Sequence, residues 1–147
     1  MNEKKKIVLR NVNVDEPQLS SVILFSIGHP SQQKVQAVIE SYHNTQHKII
    51  GAFIGDILVG IVGLLKIHES IIIRHLSVVP RWRKQGIGTL LLKGVKRCYP
   101  HISVVAETDD ESVQFYLQLG FACHSFTGPY GTLRYKCTIN KSDIPTS

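Results

Sequence analysis

The sequence predicts a mixed α+β fold, with helices packed on a largely antiparallel sheet. Three features point there. Runs rich in β-branched residues fill the middle of the chain, a helical period replaces them directly after a glycine pair, and a short apolar strand is followed by a second helical stretch.

Ile7, Leu9 and Val12 among charged neighbours predict a first strand, and Pro17 ahead of Leu19, Val22, Ile23 and Ile27 predicts a helix start. A second helix is expected over Gln32 to Tyr42, where Val35, Val38, Ile39 and Tyr42 recur at helical spacing. Lys48 to Ile54, Ile57 to Ile67 and Ile71 to Val78 then read as an antiparallel meander with turns at Gly55-Asp56 and His68-Glu69-Ser70. From Gly86 to Cys98 the period is helical, with Ile87, Leu90, Leu91, Gly94 and Val95 on one side. Lys93, Lys96 and Arg97 lie towards its end, where the helix dipole favours positive charge. Ile102 to Ala106 reads as a strand buried on both faces. Thr108 and Glu111 have capping-box spacing for a helix that Gly120 ends, and Phe121 to Phe126 with Leu133 to Thr138 form a last hairpin around Gly128-Pro129.

A chain of 147 residues suits one domain, expected over residues 1–140 with a polar tail at residues 141–147. With 43% hydrophobic and 19% charged residues, the composition is that of a folded domain, not a disordered tail. The lysine-rich start, Met1 to Lys6, is followed by Arg10, Asp15 and Glu16 with no apolar stretch, so no export signal is expected. The longest apolar run, Ile57 to Leu65, is far short of the ~20 residues a membrane helix needs. A cytoplasmic location without a membrane partner is the expectation. Cys98, Cys123 and Cys137 lack C-x-x-C spacing and are expected as buried thiols in a reducing compartment.

The formal net charge of +6 suits a polyanionic ligand, which leaves nucleic acid, a phosphorylated cofactor and an anionic membrane surface open. Nucleic-acid binding rests only on that charge and Trp82, without a recognition motif, so it is not expected. His43 and His47 are four apart, but Asn44, Thr45 and Gln46 stand between them and no H-E-x-x-H pattern forms. No catalytic metal is expected.

The segment Val78-Val79-Pro80-Arg81-Trp82-Arg83-Lys84-Gln85-Gly86-Ile87-Gly88 leads straight into a helix. Glycines there let a ligand approach the backbone, and the unpaired N–H groups of a helix start attract anions. Arg81, Arg83 and Lys84 add full charges. The bland reading is that Gly86 and Gly88 only permit a tight turn. A P-loop would need Gly-Lys-Ser/Thr, whereas Thr89 and Leu90 follow Gly88. A dinucleotide fingerprint would need a third glycine where Leu91 stands, although Glu107 or Asp109 imitates its ribose-binding acid.

Read as V-x-P-x-x-R-x-x-G-x-G between a strand and a helix, this segment resembles the acetyl-CoA motif of the GNAT N-acetyltransferases. The stretch from Glu107 through Asp109 and Phe115-Tyr116 to Leu119-Gly120-Phe121 is similar to that family's second motif, N-x-x-A-x-x-F-Y-x-x-x-G-F. The resemblance covers about Ile49 to Cys137. It implies a mostly antiparallel sheet that splays after the fourth strand, flanked by about four helices, and an acyltransferase using acetyl-CoA and no metal. The backbone of Leu76, Ser77 and Val78 would meet pantetheine, and Arg83, Lys84, Gln85, Gly86, Ile87, Gly88 and Thr89 would hold the pyrophosphate. Asp109 replaces the family's usual asparagine at a cofactor contact, exchanging an amide for an acceptor that repels phosphate. Capping the helix or attracting a cationic substrate is the alternative use.

Acetyl transfer to an amine needs a neutral nitrogen, a polarised carbonyl and a proton for the departing thiolate. At a lysine-like pKa of ~10.4, freeing the nitrogen at neutral pH costs about 4–5 kcal/mol. The resemblance places the general acid at Tyr116. The family often has glutamate at a base position that here holds His75, a residue able to accept a proton near neutrality. Glu107 and a water relay are the rivals. A non-catalytic acyl-CoA sensor is the competing function, the acceptor amine is not identified, and a homodimer stays open.

Overall fold

The period-two and period-3.6 patterns become a seven-stranded sheet with helices on both faces in the computed structural model, which describes residues 6–140. Most of the lysine-rich start (residues 1–5) and the polar tail (residues 141–147) lie outside the described residues. The chain runs β1 (Ile7–Asn11), α1 (Leu19–Ile23), α2 (Gln32–Glu40), β2 (His47–Ile54), β3 (Ile57–Ile67) and β4 (Ser70–Val78). It continues through α3 (Ile87–Cys98), β5 (Ser103–Asp109), α4 (Val113–Gln118), β6 (Ala122–Thr127) and β7 (Leu133–Ile139). Short 3₁₀ turns follow α1 at Leu24–Ser26 and precede α3 at Pro80–Trp82. No helix among the described residues is long and apolar enough to cross a membrane.

In space the strands lie in the order β1-β2-β3-β4-β5-β7-β6, and every pairing is antiparallel except β4 with β5. That exception follows from the connection, because α3 carries the chain back across the sheet and two strands joined by a helix run parallel. Ile87, Leu91, Leu92 and Val95 of α3, with Tyr116 and Phe121, cover one face over Ile50, Val59, Val62 and Val104. Leu19, Val22, Ile23, Val35, Ile39 and Tyr42 cover the other over Ile49, Phe53, Leu58 and Ile61. Each such side chain contributes about 1.5–3 kcal/mol by leaving water, so both helical layers are firmly tied to the first four strands.

Three sequence expectations need correction. β5 is buried on one face only: Val104, Ala106 and Thr108 point into the core, while Val105 is half-buried and Glu107 and Asp109 are exposed. Helices cover β5 from the α3 side alone, so an apolar run there reflected strand propensity and partial burial. The Thr108–Glu111 capping box does not form, since Thr108 is buried within β5 and α4 begins at Val113. Asp109 performs the local capping, its Oδ1 accepting from the Ser112 N–H at 2.9 Å.

The third correction concerns the cysteines. Cys123 and Cys137 stand directly opposite each other on β6 and β7, with Cα atoms 4.1 Å apart, and form a disulfide. Cys98 is an unpaired thiol and is exposed, not buried. Cross-strand register decides this, and spacing in the sequence does not reveal it.

Candidate functional site

β4 and β5 pair only from Ser70 opposite Ser103 to Ile73 opposite Ala106. Beyond that point they separate. The cause lies on the other side of β4: Gly63 pairs with His75 and Leu64 with Ile73, so Arg74 is an extra residue and the strand bends at a β-bulge. A cleft of about 870 Å³ opens in the gap. A smaller hollow of about 500 Å³ beside β1, lined by Arg10, Asp15, Glu16 and Asp56, is remote from this parting.

The cleft wall contains His75, Leu76, Ser77, Val78, Arg83, Lys84, Gly86, Ile87, Gly88, Thr89, Asp109 and Tyr116. Gln85 is the one expected residue not on that wall; its side chain turns back and donates to the Arg81 carbonyl at 3.4 Å. The Ser77 hydroxyl donates to the Val22 carbonyl and ties β4 to α1, which leaves the backbone of this strand end to form the edge. One carbonyl of that edge is engaged, because Arg83 Nε donates to Val78 O at 3.0 Å.

The turn before α3 is built from two left-handed residues, Lys84 at φ 62° and Gly86 at φ 84°. Gly86 is the N-cap and has no side chain with which to cap the helix. Among the described residues, none of the backbone N–H groups from Lys84 to Thr89 has a hydrogen-bond partner, the first intrahelical bond being Leu90 N–H to the Gly86 carbonyl. A row of unsatisfied donors at the positive end of a helix of this length fits phosphate oxygens. Gly88 has a separate reason to lack a side chain: a Cβ there would lie 3.3 Å from Phe115 Cζ, so the starts of α3 and α4 approach closely.

Tyr116, on α4, packs edge-on between Phe115 at 5.2 Å and Phe121 at 5.3 Å between ring centroids. It is buried, yet it reaches the cleft. Burial pushes its phenol up to about 12, so it stays protonated at neutral pH. Donation to a thiolate of pKa ~8.5 is then uphill by about 5 kcal/mol, unless the thiolate shares the same dry surroundings and rises with it.

The bulge turns two successive side chains, Arg74 and His75, to the α2 face, where both meet Tyr42. Tyr42 Oη and His75 Nδ1 are 2.6 Å apart, and the Arg74 guanidinium lies 4.9 Å over the Tyr42 ring. Room for the phenol comes from Gly63, where any Cβ would collide with Tyr42. Burial first, and the Arg74 charge second, push His75 down to about 4. Burial also raises the Tyr42 phenol, so the pair is neutral at pH 7. Sequence reasoning passed over both Tyr42, which reads as a core residue of a helical stripe, and Arg74, whose direction depends on the bulge.

Glu107 and Asp109 line the opposite wall from the exposed face of β5. His43 and His47 do not converge: His43 Nε2 lies 3.7 Å from Glu40, and His47 Nδ1 is 2.6 Å from Asn44 Oδ1. No group of three potential metal ligands gathers among the described residues.

Residues 26–128 match the family model described as the acetyltransferase (GNAT) domain. A similar curated protein, an N-acetyltransferase of the lysA 3' region in Bacillus methanolicus, is 29% identical over 68 residues, or 46% of this chain. The match spans 54% of that relative, about half its length. Among solved structures, an aminoglycoside 6'-N-acetyltransferase complexed with coenzyme A superposes with a TM-score of 0.82 at 16% identity, over 95% of this chain and 99% of that one. A GNAT acetyltransferase from Elizabethkingia anophelis with acetyl-CoA bound gives a TM-score of 0.72 at 19% identity, over 93% and 99%. The fold is shared with both, and the family match contains the parted strands, the amide row before α3 and the phenol of α4: this chain belongs to the GNAT acetyltransferase family.

Proposed function

We propose that the chain is an N-acetyltransferase that moves the acetyl group of acetyl-CoA directly onto a primary amine of a small molecule or peptide. The observation that carries this reading is the meeting of three features in one cleft: a parted strand edge, a row of unpartnered amide hydrogens and a buried phenol. The N–H groups from Lys84 to Thr89, with the charges of Arg83 and Lys84, suit the pyrophosphate. The parted edge of Leu76, Ser77 and Val78 suits the pantetheine arm, with the Val78 carbonyl already held by Arg83.

In the reaction the acceptor nitrogen attacks the thioester carbonyl carbon. A carbon–nitrogen bond forms and the carbon–sulfur bond breaks. Tyr116 gives its proton to the departing sulfur, and the nitrogen's surplus proton passes to His75 Nε2, then through solvent back to the phenolate. The base role requires the tautomer in which His75 Nδ1–H donates to Tyr42 Oη, leaving the Nε2 lone pair open. A histidine held near 4 is too weak to strip an ammonium of pKa ~10.4, but it accepts readily from a nitrogen already acylating. The first deprotonation therefore belongs to solvent or to Glu107.

Calorimetry with coenzyme A, followed by thiol release from acetyl-CoA across amino acids, peptides, polyamines and aminoglycosides, tests the reading. Binding with turnover of at least one amine class supports it. Binding without any turnover leaves the acyl-CoA sensor, and no binding removes both. A cytoplasmic setting is part of the proposal, and there the Cys123–Cys137 pair would be held reduced. Running the assay with and without dithiothreitol shows which form is active.

A further inference from the structure

The acceptor end of the cleft carries opposite charges on its two walls. On the β4 wall the Arg74 guanidinium is half-buried, and among the described residues no carboxylate lies within ion-pair reach of it. It is nevertheless held in place. Nη1 donates to Ser41 Oγ at 2.9 Å, while the Ser41 hydroxyl is itself committed to the Val38 carbonyl. The guanidinium plane is further steadied over the Tyr42 ring. A guanidinium has five N–H donors in a fixed fork, so one anchored nitrogen leaves the rest of the fork for a ligand.

Across the gap stand Glu107 and Asp109, on the exposed face of β5 and opposite Lys136 and Arg134 of β7. Neither carboxylate forms an ion pair with its β7 neighbour among the described residues. His75 lies next to Arg74, and neighbouring Cα atoms are ~3.8 Å apart. A nitrogen presented to His75 therefore has a cation one residue along one wall and carboxylates on the other.

Resting on the acetyl-transfer reading above, we propose that the acceptor is a small zwitterion, an amino-acid-like amine whose own carboxylate is gripped by Arg74. Planar, two-pronged donation matches a carboxylate and strengthens because it is charge-assisted. The ammonium approaches on the Glu107 and Asp109 side before it loses its proton. An unpaired half-buried cation is costly on its own and is relieved by an anion. It repels a polycation, so this cleft is a poor fit for an aminoglycoside despite the shared fold. An anionic ligand would also offset the charge that helps to hold His75 low, which makes His75 a better proton acceptor once substrate is in place.

The test compares a pool of L-amino acids with the pool of their amides and with kanamycin in the thiol-release assay. The acids should be favoured over the amides by on the order of 100-fold in kcat/KM, the scale of losing one charge-assisted fork. Arg74→Gln should collapse that preference through KM, and Arg74→Lys should restore part of it. Retained coenzyme A binding by calorimetry shows for each variant that the fold and the donor site are intact. A second readout needs no turnover. In protein loaded with coenzyme A and labelled at arginine Nε, a pool of N-acetyl-L-amino acids should shift the Arg74 resonance saturably, and the pool of their amides should not. Equal use of acids and amides, a preference for kanamycin, or an Arg74 signal unmoved by the acids would overturn the proposal. Absence of all turnover with a saturable Arg74 shift would instead count against the transferase reading alone.

Discussion

The two ends of the cleft are made in different ways. At the end proposed for the donor, the residues are consecutive: Lys84 and Gly86 in left-handed conformations, six amide hydrogens in a row, and a helix start. At the end proposed for the acceptor, Tyr42, Arg74 and His75 come from the turn after α2 and the bulge of a distant strand, and Gly63 of a third segment makes the space. Local chain geometry builds the first, while packing of separate elements builds the second. The donor end should therefore fail through backbone changes and the acceptor end through side-chain contacts.

The largest effect is expected where the two ends meet. Tyr116→Phe should lower kcat by about 10²–10⁴-fold, the usual contribution of a general acid, with coenzyme A affinity unchanged by calorimetry. An undiminished kcat would remove the phenol from the chemistry and leave it as a core aromatic. Next is the donor end. Valine at position 86 must adopt φ +84°, which costs ~1–2 kcal/mol, and leucine at position 88 must push Phe115 aside. Together, Gly86→Val and Gly88→Leu should weaken coenzyme A binding on the order of 100-fold. Full affinity in that double variant would mean the turn is structural and the phosphates sit elsewhere.

At the other end the expected effects are smaller, one on turnover and one on stability. Tyr42→Phe removes the partner that sets the His75 tautomer, and kcat should fall about tenfold without a matching loss of coenzyme A affinity. Gly63→Ala drives a methyl group into Tyr42 and should destabilise the fold by about 1–3 kcal/mol in denaturant titration, because the sheet around it has little room to give. Wild-type stability in Gly63→Ala would show that the ring can move, and the separation of the two ends would blur.

The last expected effect is on pH-dependent stability. Folded His75 stays neutral down to about 4, whereas an unfolded histidine takes up its proton near 6.5. The unfolded state thus binds more protons between those values, and stability falls as pH drops through that window. In acid titrations followed by circular dichroism, His75→Gln should flatten the loss between pH ~6.5 and ~4. An identical slope in the variant would mean His75 is not held low.

Much of the sheet was legible because alternation and turn formers are local. β3 was read with its observed limits, and α3 followed directly after Gly86, although Leu92 and not Leu90 completes its buried stripe, Leu90 being exposed. The Thr108 cap misread a strand residue because nothing nearby shows that β5 runs on to Asp109, which it does by pairing with β7. The disulfide was missed for the same reason, since Cys123 and Cys137 are neighbours only through the register of β6 with β7. Arg74 was passed over because an extra residue in β4 reverses which side chains share a face, and Tyr42 because it reads as one more core residue of a helical stripe.

What the sequence determined by itself is the family, the order of elements and the glycine turn before α3, since each depends on residues within a few positions of one another. Which wall faces which was decided only in three dimensions. Opposing charges across a gap, a phenol seated over a glycine and an anchored guanidinium all arise from contacts between residues far apart in the chain. Such contacts exist only once burial of the two cores has paired the strands and set the bulge.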